Sequence, residues 1–156
     1  MKIISGEAFI VVGLHARTSN QQETTREAVI PKQWEQLMRS NALERISSRV
    51  GSGIIALYTD YESDANGAYT YVLGVTASSI ADLAPGMIAK KVPSGNYVVI
   101  ASDRGPVAEV VLGAWKRVWS DSHLSSRRSY VADFEVYDHR ATNPQDAQVD
   151  IYVGIE

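Results

Sequence analysis

The chain has 156 residues, 45% hydrophobic and 21% charged, with a formal net charge of −3. This is ordinary for one globular domain, and it lacks the clustered cations with which a nucleic-acid surface neutralises phosphates. Cysteine is absent, which excludes disulfide scaffolds, thiolate metal sites and thiol nucleophiles. No apolar run approaches the roughly 20 residues that span a bilayer, and Met1–Glu7 lacks the pattern of a signal peptide. A cytoplasmic protein with no membrane partner is expected.

In chain order, Ala8 to His15 is rich in β-branched residues and predicts a strand. Residues 17 to 27 are polar and predict a loop. Pro31 opens a helix at a position where its missing N–H costs nothing, with Trp34, Leu37 and Met38 at i, i+3, i+4 on one face. Leu43 and Ile46 continue the apolar pattern, and Gly51-Ser52-Gly53 breaks it. Ile54 to Asp60 predicts a strand, Glu62 to Gly67 a turn with the hairpin signal Asn66-Gly67, and Tyr69 to Thr76 the returning strand. Residues about 78–93, marked by Asp82, Pro85, Gly86 and Pro93, predict a linker. Asn96 to Ala101 then predicts a strand, and Asp103-Arg104-Gly105-Pro106 a tight connection. Val107, Val110, Val111, Ala114, Trp115 and Val118 recur at amphipathic-helix spacing. Residues 120 to 128 predict a polar loop, Tyr130 to Asp138 a strand, Asn143-Pro144 a turn, and Val149 to Ile155 the last strand.

The order is β-α-β-β, linker, β-α-β-β, and the two units resemble each other. Ala56-Leu57-Tyr58-Thr59-Asp60 with Tyr71-Val72-Leu73-Gly74-Val75 matches Glu135-Val136-Tyr137-Asp138 with Ile151-Tyr152-Val153-Gly154-Ile155. Repeat one spans about 7–77 and repeat two about 94–156, within a single domain over 1–156. A helix and a sheet bury their apolar faces on one another. The expected fold class is therefore α+β: duplicated units forming an antiparallel sheet, with two main helices around a central groove on a pseudo-twofold axis.

Between the repeats one matched position differs in charge, Ala56 against Glu135. Side chains alternate along a strand, so Glu135 shares a face with Tyr137 and opposes Phe134, Val136 and Asp138. Two readings follow. In one, Glu135 faces solvent on a one-sided antiparallel sheet. In the other it is a buried acid without a partner, available to a cationic ligand beside rings whose faces attract cations. Periodicity does not choose, because both faces of this strand carry apolar residues. Tyr58 is the repeat-mate of Tyr137 and would face it across the groove. Trp34, Trp115 and Trp119 lie on the two helices, and Tyr152 on the last strand. These are the candidate lining residues.

Nothing points to catalysis or metal binding. His15, His123 and His139 lie far apart without ligand spacing, and no nucleophile elbow, phosphate loop or dinucleotide fingerprint occurs. No cofactor, metal or catalytic residue is expected, and the protein is not read as an enzyme.

Several pieces together resemble a known family. They are Ile30-Pro31-Lys32-Gln33-Trp34, Tyr71-Val72-Leu73-Gly74-Val75, Val92-Pro93-Ser94-Gly95-Asn96-Tyr97, Arg104-Gly105-Pro106, Phe134-Glu135-Val136-Tyr137-Asp138 and Ile151-Tyr152-Val153-Gly154-Ile155. In order and spacing they resemble the gyrase-inhibitor-like effector-binding domain of AraC-type and MerR-type multidrug-responsive regulators. The short chain is similar to the stand-alone members encoded in integron cassettes. The resemblance implies a lipophilic, cationic aromatic ligand in the central groove. It maps the family's buried acid onto Glu135 on the helix-facing side, with aromatic walls from positions such as Tyr58, Trp115 and Tyr137. It also implies two alternatives: a protein-binding inhibitor like the gyrase-inhibiting relatives, or a small-molecule hydrolase using the groove acid. A full regulator carries a helix-turn-helix domain ahead of this one. Met1 leads almost directly into the first predicted strand, so direct nucleic-acid contact is not expected, and a separate regulatory protein would relay any signal.

Overall fold

Among the described residues, period-two alternation of apolar residues produces eight strands, joined by two longer and two short α-helices. The computed structural model describes residues 2–81 and 83–156; Asp82, one of the linker markers, lies outside the described residues. The strands are β1 (Lys2–Gly6), β2 (Phe9–Ser19), β3 (Ile54–Thr59), β4 (Ala68–Ala77), β5 (Met87–Val92), β6 (Gly95–Ala101), β7 (Arg128–Tyr137) and β8 (Asp150–Ile155). The helices are α1 (Asn20–Glu23), α2 (Ile30–Arg39), α3 (Val107–Ser120) and α4 (Ser122–Arg127). Among the described residues no helix is long and apolar enough to cross a membrane.

All strands join one antiparallel sheet in the order β1-β6-β8-β7-β3-β4-β2-β5. The two β-α-β-β units, β2-α2-β3-β4 and β6-α3-β7-β8, meet where β3 pairs with β7. In that pairing Ala56 stands directly opposite Glu135, so the one charge difference between the repeats falls at the centre of the sheet.

The span read as a linker contains β5, which pairs with β2. A second strand not expected from the sequence, β1, pairs with β6. Each half of the sheet is thus closed by the strand that precedes the other half. The Pro85-Gly86 and Pro93-Ser94-Gly95 signals bracket a strand here. Met87 and Val92 are both buried, in clusters on opposite faces of the sheet, so the segment completes the core while covering the edge of β2.

Two segments read as polar loops are partly ordered by their own side chains. β2 runs on to Ser19, whose Oγ accepts from the N–H of Gln22 at 3.1 Å and starts α1. Asp121 accepts from the N–H of Leu124 at 3.0 Å and starts α4, and Leu124 anchors that helix in the core. Local capping of this kind satisfies N–H groups that a helix start leaves open.

α2 buries Leu37 against β2 and β4, half-buries Trp34, and leaves Met38 exposed. α3 buries Val110, Ala114, Trp115 and Val118, packing onto β6 and β8. Both helices lie on the same face of the sheet, and their two core clusters meet at Tyr58. The opposite face carries a third cluster around Leu57, Val72, Tyr97 and Phe134.

Gly13 and Gly74 oppose each other across β2 and β4. A Cβ on Gly74 would stand 1.8 Å from the carbonyl oxygen of Val12, and one on Gly13 would stand 2.2 Å from that of Leu73. No side chain fits where the two backbones approach this closely. Gly74→Ala is expected to cost about 3 kcal/mol or more, read from the urea unfolding midpoint. A loss below about 1 kcal/mol, the ordinary size for a point mutation, would mean that the strands separate freely.

Candidate functional site

The site is built where the two halves join. β7 turns Glu135 to the helix-covered face, where the residue is 1% exposed. Three neutral donors reach it. Trp115 Nε1–H donates to Oε2 at 2.6 Å, Tyr58 O–H donates to Oε2 at 2.7 Å, and Tyr137 O–H donates to Oε1 at 2.6 Å. They come from α3, β3 and β7, so the cluster exists only when both repeats are folded together. No Lys or Arg among the described residues forms an ion pair with it.

Burial pushes the Glu135 carboxyl above its ordinary range, against the opposing pull of the hydrogen bonds from Tyr137, Trp115 and Tyr58. The neighbouring tyrosines are driven up in turn. Burial is the first cause for Tyr58, Tyr71 and Tyr137, and the Glu135 charge is the second. They therefore stay protonated and act as donors.

Rings pack around this acid. Tyr58 lies 5.2 Å, centroid to centroid, from each of Tyr69, Tyr71 and Trp115. Trp119 stacks on Trp115 at 6.2 Å and 25°, and is 41% exposed. Tyr58, Tyr61, Tyr69, Trp115 and Trp119 line a cavity of ≈ 540 Å³, with Ile30 and Leu112 adding aliphatic wall. Glu135 is not itself on the cavity wall. Its negative charge stands one ring behind it, on the polar atoms of Tyr58 and Trp115. A carboxylate drawing on those N–H and O–H groups enriches the ring faces that a cation would meet.

Of the residues singled out from the sequence, Glu135, Tyr58, Tyr137 and Trp115 are brought into one hydrogen-bonded cluster, and Trp119 reaches the cavity mouth. Trp34 is second in line. It packs on Tyr137 at 4.6 Å and donates to the Tyr71 hydroxyl at 3.0 Å, supporting the cluster from behind. Tyr152 is on the wrong face. It stacks on Phe134 at 4.6 Å and 9°, on the side of the sheet away from the helices. Alternation along β8 puts Ile151 and Val153 toward α3, and Tyr152 necessarily away.

Several lining residues were not singled out. Tyr69 shares a strand face with Tyr71 at period two, a signal present in the sequence. Tyr61 lies two residues past the end of β3, between the predicted strand and the predicted turn. Glu23, in the predicted polar loop, bonds the N–H groups of Val29 and Ile30 at 3.0 Å each, holding the start of α2 at the cavity rim. No periodicity announces such a contact. Arg128, at the head of β7, is paired with the fully buried Asp133 at 2.7 Å. The Asp133 carboxylate also accepts from Gly154 N–H at 2.7 Å and from the Tyr61 hydroxyl.

A duplicated α+β sheet with an aromatic cavity at its pseudo-twofold centre defines a small-molecule effector-binding domain of the kind found in regulators. The chain belongs to the family of integron-associated effector binding proteins (Cass2), whose pattern matches residues 2–155. It is 41% identical over 148 residues to a protein of Bacillus subtilis (strain 168) named "Putative transcriptional regulator protein YobU", covering 92% of this chain and 90% of that one. The integron cassette protein VCH_CASS2, from the mobile metagenome of Vibrio cholerae, superposes with a TM-score of 0.77 at 28% identity, covering 99% of this chain and 95% of that one. SAV2435, solved bound to tetraphenylphosphonium, superposes with a TM-score of 0.80, covering 99% of this chain and 93% of that one. At 18% identity the latter likeness is one of fold.

Proposed function

We propose that this protein is a non-catalytic binder of lipophilic aromatic cations. They are held in the ring-lined cavity and selected by the charge of Glu135 behind its wall. The observation that carries this reading is a glutamate 1% exposed, its carboxylate met by three neutral donors and by no Lys or Arg among the described residues. Taking an ionised acid out of water is costly unless an opposite charge is supplied. Neutral donors offset part of that cost, and a bound cation would offset more. Membership in an effector-binding family and the tetraphenylphosphonium complex of SAV2435, a protein of the same fold, support the same reading.

The test is a calorimetric titration of tetraphenylphosphonium against triphenylphosphine oxide, a neutral compound with three of the cation's four phenyl rings. The cation is expected to bind about tenfold tighter or more, which is about 1.4 kcal/mol. Equal affinities would remove charge selection from the site.

Acidity provides an independent check. The Glu135 carboxyl titrates above its ordinary value of 4.5, and only its ionised form attracts a fixed cation. Affinity for tetraphenylphosphonium is therefore full above that raised value and falls as the pH drops through it. The sign for folding is opposite. The folded state takes up the proton more readily than the unfolded chain, so protonating Glu135 adds stability as the pH falls through the raised value. That gain is complete below the ordinary one. Titrations from near neutrality into the acid range are expected to lose affinity while the fold persists, and a pH-independent affinity would contradict the role given to Glu135.

A further inference from the structure

We propose that the pocket recognises a second chemical feature of its ligand, a carboxylate, and that Arg128 receives it. The ligands best matched are then aromatic cations that also carry a carboxylate. This extends the cation-binding reading above and rests on it for the positive end of the ligand.

Arg128 lies in the wall of the main cavity, with a side chain only 3% exposed. Of the N–H donors on a guanidinium, one on Nη2 meets Asp133 Oδ2 at 2.7 Å. Nε is buried without a partner, and Nη1 has no acceptor among the described residues. Asp133 has little more to offer, because its carboxylate is also engaged by Gly154 N–H and the Tyr61 hydroxyl. An unmet donor on a buried guanidinium costs free energy, and no other group among the described residues answers Nε.

The surroundings fit an oxygen acceptor. The guanidinium stacks 4.4 Å from the ring centroid of Tyr130 and stands 5.8 Å from that of Trp115. Such stacking holds the plane of the fork and leaves its edges for hydrogen bonding. Arg128, Trp119 and Asn20 are shared between the main cavity and an adjoining one of ≈ 350 Å³. The smaller cavity adds the polar side chains of Asn66 and Ser125. The rings bonded to Glu135, Tyr58 and Trp115, line only the larger cavity. The pocket therefore has an acid-backed aromatic end and a polar end containing a guanidinium with free donors. A charge-assisted bond from arginine to carboxylate is among the stronger ones available.

Rhodamine B and its ethyl ester test this without altering the protein. The first carries a xanthene cation and a free carboxylate near neutral pH, and the second is the same cation with the carboxylate blocked. By isothermal titration the acid is expected to bind about tenfold tighter than the ester. Arg128→Lys keeps a charge beside Asp133 but loses the fork, and is expected to bring the ratio to within about twofold. Should that variant fail to fold, Arg128→Met combined with Asp133→Asn removes both buried charges together and is read by the same ratio. Equal affinity of the unaltered protein for the two dyes would overturn the assignment, as would a ratio that survives loss of the guanidinium. Glu135→Gln separates the two ends: it is expected to weaken both dyes and leave their ratio intact. If it weakens neither while the ratio still depends on Arg128, the cation reading fails and the carboxylate site stands.

Discussion

Glu135→Gln is expected to weaken tetraphenylphosphonium about tenfold or more while changing triphenylphosphine oxide by less than about twofold. At roughly 6 Å and an effective dielectric of about 20, opposite unit charges attract by about 3 kcal/mol. Desolvating the cation offsets part of that, and about 1.4 kcal/mol remaining is a factor of ten. The same substitution is not expected to lower the thermal midpoint near pH 8. Glutamine keeps the shape, and its carbonyl can accept from Trp115 and Tyr58, which share Oε2 in the native acid. Its amide can donate to the Tyr137 oxygen, which now donates to Oε1. The second amide N–H and the Tyr137 hydroxyl proton lose a partner, but a buried charge is gone, which offsets that loss. An unchanged or raised midpoint with lost cation binding would mark Glu135 as a site kept for function at a cost in stability. Equal losses for cation and neutral ligand would remove it from recognition.

Asp133→Ala is expected to be the most damaging substitution near the site, costing about 3–5 kcal/mol. Asp133 is fully buried and serves Arg128, the Gly154 N–H and the Tyr61 hydroxyl at once. Removing it strands a buried guanidinium and two donors. The damage reaches the backbone, because the Asp133 contact to Gly154 bridges the irregularity in the β7–β8 pairing between Arg128 and Asp133. Chemical denaturation would measure the loss. A cost near 1 kcal/mol would mean that water replaces the carboxylate and that the Arg128 wall is softer than its burial implies.

These two acids, two residues apart on one strand, were not equally legible. Glu135 interrupts an apolar run and faces an alanine at the matched position of the other repeat, so comparison of the repeats isolates it. Asp133 has the same spacing and charge but no feature that separates it from a solvent-facing residue. Its burial comes from the bulge at the head of β7 and from Arg128, which only the folded strand brings beside it. Trp115 was legible as part of an apolar helical stripe, but its Nε1–H bond to Glu135 depends on how α3 sits over β7. Tyr152 was misplaced because alternation sorts residues into two faces without saying which face a helix covers. The strand at 87–92 was hidden because the Pro and Gly signals that bracket a linker also bracket a strand.

By itself, then, the order of residues determined the elements of the two β-α-β-β units, the duplication and the acid that breaks it. Those follow from local periodicity and from comparison of one half of the chain with the other. The tertiary structure alone decided which face of the sheet became the pocket, how β1 and β5 exchange between halves, and which donors surround Glu135. These depend on register and on helix placement, set by packing between segments far apart in the chain, and no short window of residues carries them.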